Sequence, residues 1–166
     1  MVAIFFDLQK AYDTTWKCGI MRDLHDPGLR GRMPLFISNF LKFRQFAIKI
    51  GNLISNFYNQ EEGVPRGSIL SVTLFSIQIN GKIKTLSLGI DWSLYVDDFV
   101  IYYKSKHIHT INRQLQLCLH KIQRWADDNG FKLSMSKTVC LHFCNLRTPH
   151  PEPNLTINAT QILVLN

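Results

Sequence analysis

Hydrophobic positions fall in short unbroken runs early in the chain and at helical spacing further along it. Val2-Ala3-Ile4-Phe5-Phe6 is continuously apolar and stops at Asp7, as a buried strand does. Polar, helix-compatible residues follow, up to a Pro27-Gly28 turn. Leu35, Phe36, Ile37, Phe40 and Leu41 recur at helical spacing, and Pro34 suits the first turn of that helix. The runs from Phe46 to Ile50 and from Leu53 to Tyr58 flank Gly51-Asn52, which predicts a β-hairpin. A polar loop from Asn59 to Gly67 leads to Ser68, suited to cap a Leu-, Ile- and Phe-rich helix ending near Leu86.

Ile90 to Tyr103 reads as two strands meeting at Asp97-Asp98. Next comes the strongest periodic signal: Ile108, Ile111, Leu115, Cys118, Ile122 and Trp125 make one apolar helical stripe, which Gly130 terminates. Phe131 to Leu133 and Thr138 to Phe143 read as short strands, and Leu146 to Pro153 as a proline-rich loop. Leu155 to Ile157 and Ile162 to Leu165 are candidate final strands. Interleaved helices and strands with a hairpin predict an α+β fold on a mixed sheet, without repeats or an interdomain linker.

With 166 residues, 46% of them hydrophobic and 19% charged, the chain has the make-up of a globular domain with a real core, not of a disordered one. Lys and Arg outnumber Asp and Glu by 19 to 12. That excess suits a polyanion such as nucleic acid, although many basic proteins bind none. Cys18, Cys118, Cys140 and Cys144 form no CxxC pair and no disulfide framework. Cys140, His142 and Cys144 alternate on one strand face, but with no fourth ligand nearby they read as part of a buried strand. Reduced thiols suit an intracellular compartment. No signal peptide is visible and no apolar run is long enough to span a bilayer, so no membrane partner is expected. The sequons at Asn154 and Asn158 therefore carry little weight.

The segment Tyr95-Val96-Asp97-Asp98-Phe99 sets two adjacent carboxylates between apolar strands. Like charges this close repel, and a bound divalent cation relieves the repulsion. Magnesium suits, because it takes hard oxygen ligands and binds substrate phosphates. A solvated Asp-Asp hairpin turn is the plain alternative. Asp7 also ends an apolar strand. If the two strands are neighbours, three carboxylates converge and can hold two metal ions for in-line phosphoryl transfer. Residues alone leave both readings open.

Four segments together resemble reverse transcriptases of jockey-like non-LTR retrotransposons. Phe5-Phe6-Asp7-Leu8-Gln9-Lys10-Ala11-Tyr12-Asp13 is similar to their motif A, and Gly63-Val64-Pro65-Arg66-Gly67-Ser68-Ile69-Leu70-Ser71 to motif B. Tyr95-Val96-Asp97-Asp98 matches motif C. Gly130-Phe131-Lys132-Leu133 with Ser136-Lys137-Thr138 resembles motif D. Their order and spacing carry the resemblance more than any one of them.

The resemblance implies an RNA-directed DNA polymerase that adds dNTPs to a DNA primer on an RNA template, using two Mg²⁺ ions, with Mn²⁺ as a substitute. Asp7, Asp97 and Asp98 would be catalytic metal ligands, and Lys137 a general acid for the departing pyrophosphate. Tyr12 would be a steric gate against the ribose 2′-hydroxyl. Tyr12, Gly63, Pro65, Arg66, Gly67 and Tyr95 would contact nucleotide or template. Lys10 and Asp13 are motif positions, expected to steady the metal-binding strand, to pair with each other or to stay solvated. Lys42-Phe43-Arg44-Gln45-Phe46 interleaves basic and aromatic residues and suits either a phosphate backbone or a solvated strand face.

The implied architecture is a right-hand polymerase palm over residues 1–166, with a mixed or antiparallel sheet and packed helices. Part of the fingers is expected as an insertion at about 20–62, with the rest of the fingers, the thumb and an endonuclease supplied by a longer polyprotein. Arg66 stands where the family pattern has Gln, and Val72 where it has Pro. Asn80-Gly81 replaces Asn-Asp, and Asn166 falls where a Gly is usual. A catalytically inactive nucleic-acid-binding remnant is the second reading. A template-dependent RNA polymerase is a third, opposed by Tyr12 and the Gly-Val-Pro-x-Gly-Ser pattern. A nuclear or cytoplasmic ribonucleoprotein would be the setting.

Overall fold

The computed structural model describes residues 1–26, 28–86, 89–95, 98–144 and 151–165. Pro27, Asp97, Asn166 and most of the expected 146–153 loop lie outside them. The elements run β1 (Val2–Phe6), β2 (Leu8–Gln9), α1 (Ala11–Thr14), α2 (Lys17–His25) and α3 (Arg32–Leu41). They continue with β3 (Gln45–Phe46), β4 (Lys49–Ile50), β5 (Leu53–Ile54), β6 (Tyr58–Asn59) and α4 (Ile69–Leu86). Then come β7 (Asp91–Tyr95), β8 (Asp98–Tyr103), α5 (Ile108–Asp128), β9 (Lys132–Leu133) and β10 (Val139–His142). The last three are β11 (Thr156–Ile157), β12 (Thr160–Gln161) and β13 (Leu163–Leu165). Two compact units result, one of Met1–Gln9 with Ile79–Asn166 and one of Lys10–Gln78.

In the first unit β1 is the central strand of a five-stranded sheet ordered β13-β10-β1-β8-β7. It is antiparallel to both neighbours, and β10 runs parallel to β13, so the sheet is mixed. A central position explains the unbroken apolar opening run. Ile4 lies opposite Ile101 on one side and Cys140 on the other, and all three are fully buried. Helix α5 packs against β8, β9 and β11. Its stripe of Ile111, Leu115, Cys118, Ile122 and Trp125 is buried as the spacing predicts. Each large aliphatic side chain taken from water there contributes about 1.5–3 kcal/mol. Gly130 ends the helix at φ +73°, the Phe131 N–H returns to the Ala126 carbonyl at 2.8 Å, and the Trp125 and Phe131 rings stack at 5.3 Å. The expected strands at 155–157 and 162–165 are joined by an additional one. Asn158 and Ala159 both adopt positive φ, which turns β11 back onto β12.

The second unit has its core where α2 and α3 meet, from Ile20, Leu24, Ile37 and Leu41 together with Val64 and Leu74. Pro34 sits in the first turn of α3, as its missing N–H favours. The Gly51-Asn52 hairpin forms, with Gly51 at φ +59°, but as two short ladders, β4 with β5 and β3 with β6. Between them the Ser55 hydroxyl accepts the Ile48 N–H at 2.9 Å, a bond that a continuous ladder would give to the main chain. Among the described residues no helix is long and apolar enough to cross a membrane.

Candidate active site

Asp7 is the point at which β1 leaves the sheet. Its carbonyl accepts the Ser134 N–H at 2.8 Å, and Leu8 and Gln9 go on to pair with Leu133 and Lys132. Ser134 also anchors a tight turn, its carbonyl accepting the N–H groups of Lys137 and Thr138 at 3.2 and 2.8 Å. The turn brings the Lys137 ammonium against the Asp7 carboxylate, with Nζ donating to Oδ1 at 3.4 Å. Both side chains reach solvent, at 69% and 30% exposure, so the pair stabilises the fold by at most about 1 kcal/mol. It fixes where a positive charge stands more than it braces the molecule.

Asp98 opens β8, opposite Tyr95 of β7. Phe6 faces Phe99 across the β1–β8 ladder, and their rings stack at 4.3 Å and 7°. Asp7 follows that last pair and Asp98 precedes it. Strand alternation therefore sets both carboxylates at one end of neighbouring strands, on the sheet face of Phe5 and Val100. Phe5, Phe6, Ser93, Tyr95, Asp98, Phe99 and Val100 line a cleft of about 380 Å³ there. Tyr95 is 78% exposed at its edge. Solvent-reachable carboxylate oxygens at paired strand ends fit a hard divalent cation. The third expected ligand, Asp97, lies outside the described residues, and among those described no cluster of three metal-binding side chains occurs.

Tyr12, Gly63, Pro65, Arg66 and Gly67 gather within the second unit. The Gly63 N–H donates to the Thr15 carbonyl at 2.9 Å and the Val64 N–H to the Tyr12 carbonyl at 2.8 Å. Gly63 stands at φ +79°, and a Cβ there would meet the Asp13 and Tyr12 carbonyl oxygens at 2.6 and 2.7 Å. Only glycine fits. The Tyr12 ring stacks on Phe75 at 4.9 Å. Of the options for Lys10 and Asp13, mutual pairing is not what the structure has. Lys10 takes a left-handed conformation at φ 50°, and its carbonyl accepts the Asp13 and Thr14 N–H groups. The Asp13 carboxylate instead receives Arg66, from Nε at 3.0 Å and Nη2 at 2.6 Å. No local sequence pattern links Asp13 to Arg66 or Ser134 to Asp7; opposite charge at Asp13 and Arg66 is the hint the sequence holds for the fork.

A third feature lies on the same unit. Between Gly28 and Gln60 the sequence has Arg30, Arg32, Lys42, Arg44 and Lys49 but no carboxylate. Phe43 is 97% exposed, and the Arg44 guanidinium lies 4.8 Å above the Phe40 ring.

A family profile described as reverse transcriptase (RNA-dependent DNA polymerase) matches residues 1–163. The chain belongs to the reverse transcriptase family. It is 29% identical over 153 residues to the RNA-directed DNA polymerase from mobile element jockey of Drosophila melanogaster, covering 87% of this chain and 16% of that protein. A probable RNA-directed DNA polymerase from transposon X-element of the same fly is 26% identical over 159 residues, covering 90% of this chain and 17% of that protein. The chain thus spans about a sixth of the length of these curated relatives, and the jockey-like resemblance of its motifs holds. Among solved structures, an apo telomerase from Candida tropicalis superposes with a TM-score of 0.64 at 16% identity, over 84% of this chain and 30% of that one. A telomerase from Candida albicans, in complex with a TWJ fragment of telomeric RNA, gives 0.59 at 14% identity, over 98% of this chain and 30% of that one. The mixed α/β fold is therefore that of reverse-transcriptase-like polymerases. Divalent metal dependence is a general property of this family.

Proposed function

We propose that this chain is the palm of an RNA-directed DNA polymerase of a jockey-like non-LTR retrotransposon, extending a DNA primer with dNTPs on an RNA template. The observation that carries the reading is the placement of Asp7 and Asp98 directly next to the last β1–β8 pair, Phe6 with Phe99, with Lys137 at 3.4 Å from Asp7. Asp7, Asp97 and Asp98 would hold two ions, Mg²⁺ or Mn²⁺. When bound, these supply Lewis acidity for the primer 3′-hydroxyl and countercharge for the leaving pyrophosphate. Lys137, exposed beside Asp7, would serve as the general acid that passes a proton to the pyrophosphate as it departs.

In this reading Tyr12 holds its ring as a gate at the sugar, kept in place by its stack on Phe75. Gly63, Pro65, Arg66 and Gly67 form the loop over which nucleotide or template lies, and Tyr95 flanks the cleft beside Asp98. The carboxylate-free stretch between Gly28 and Gln60, with Phe43 exposed, gives a strand of RNA both countercharge and a ring to stack on. Part of the fingers would lie at about 20–62, and further fingers, thumb and endonuclease regions would come from a longer polyprotein.

Primer extension on an RNA template, with Mg²⁺ or Mn²⁺, tests the proposal in a longer protein that contains this chain. Asp7→Asn and Asp97→Asn should each lower extension on the order of a hundred-fold or more. Extension that survives either change would overturn the metal-ligand assignment. No extension by the unsubstituted protein would favour the nucleic-acid-binding remnant.

A further inference from the structure

We propose that Arg66 is a positioning residue, which ties the Gly63–Gly67 loop to α1 and thereby fixes where Tyr12 stands. The inference rests on the proposed reading of Tyr12 and this loop as nucleotide-facing elements. Two main-chain bonds, from Gly63 to Thr15 and from Val64 to Tyr12, secure the start of the loop. Beyond them Pro65 has no N–H to offer, and Gly67 stands at φ +81° with open space where a Cβ would stand. Arg66 makes the tie for this half. Its Nε and Nη2 donate to the two oxygens of Asp13 at 3.0 and 2.6 Å, so the fork sets orientation as well as distance.

The residue type matters. Gln, which the family pattern has at this position, offers a single nitrogen and sets its own carbonyl near the carboxylate. Lys also offers one nitrogen. The departure from the pattern is thus matched to Asp13, and Arg66 acts on substrate through the loop. Asp13 in turn is the neighbour of Tyr12 in α1, a helix of only four residues. A helix that short does not hold itself and takes its position from its ties. The fork is solvent-exposed, at 66% and 45% of the two side chains, so its effect is local order and not global stability.

Amide hydrogen exchange in this chain, paired with nucleotide kinetics in a longer protein, tests the tie. Arg66→Gln and Asp13→Asn should each speed exchange of the Gly63 and Val64 amides by about two- to five-fold, with Ile4 and Ile101 unchanged. The charge-exchanged pair D13R with R66D should bring exchange back towards the starting rate. In the longer protein Arg66→Gln should raise KM for dNTPs and lower the preference for dNTPs over rNTPs by a similar factor, which loss of stability alone would not do. Unchanged exchange at Gly63 and Val64 in both single variants, or an unchanged dNTP preference in Arg66→Gln, would overturn the proposal. If the longer protein extends no primer at all, the polymerase reading fails, and exchange in this chain still decides the tie.

Discussion

Gly63 and Gly67 share a left-handed backbone but not the same surroundings. At Gly67 an alanine side chain would meet nothing within 4 Å, so Gly67→Ala carries only backbone strain, about 1 kcal/mol. At Gly63 the same change adds a methyl group within 2.6 Å of one carbonyl oxygen and 2.7 Å of another. The loop must then withdraw from α1 and lose the bonds to Thr15 and Tyr12. Urea unfolding should give a loss for Gly63→Ala at least about twice that for Gly67→Ala. Equal losses would mean that the close approach is not maintained in solution. That glycines stand at these two positions was legible from the sequence as part of the motif, and the backbone requirement behind Gly63 comes from the structure. What the loop touches was not legible. Asp13 and Arg66 are 53 residues apart, Asp7 and Lys137 are 130 apart, and no local pattern links such pairs.

Elements with strong periodicity were legible almost to the residue. β1 ends where its apolar run meets Asp7, and α5 buries the stripe that its spacing marks out. The hairpin of the second unit was harder, since one serine hydroxyl at Ser55 takes an N–H and splits the ladder without altering the hydrophobic pattern. The cysteines separate by element too. Cys118 on α5 and Cys140 on β10 face the core, and burial raises both thiols from about 9 to about 11. Cys18 is exposed and Cys144 half-buried. An alkylating reagent at pH 8 should modify Cys18 and Cys144 and spare the other two until the chain unfolds. Between pH 9 and 11 the unfolded chain binds fewer protons at Cys118 and Cys140 than the folded one. Stability should therefore fall as pH rises through that window, and Cys118→Ala with Cys140→Ala should flatten the slope. A slope unchanged by the two substitutions would contradict the burial assigned to these thiols.

For the whole molecule, the fold class was within reach of the sequence because helices and strands alternate along it, and the family because four motifs recur in order. The division into two units was less accessible. It depends on the chain leaving the first unit after Gln9 and rejoining it at Ile79, which no composition shift marks. The proposed divalent-cation site lies at the ends of β1 and β8. Paramagnetic broadening of backbone amides by Mn²⁺ tests this directly in the chain itself, whatever its activity. Broadening should be strongest at Phe6, Asp7, Asp98 and Phe99, and should disappear when Asp7, Asp97 and Asp98 are all changed to Asn. Broadening centred elsewhere, for example on Glu61 and Glu62, or persisting in the triple variant, would contradict it.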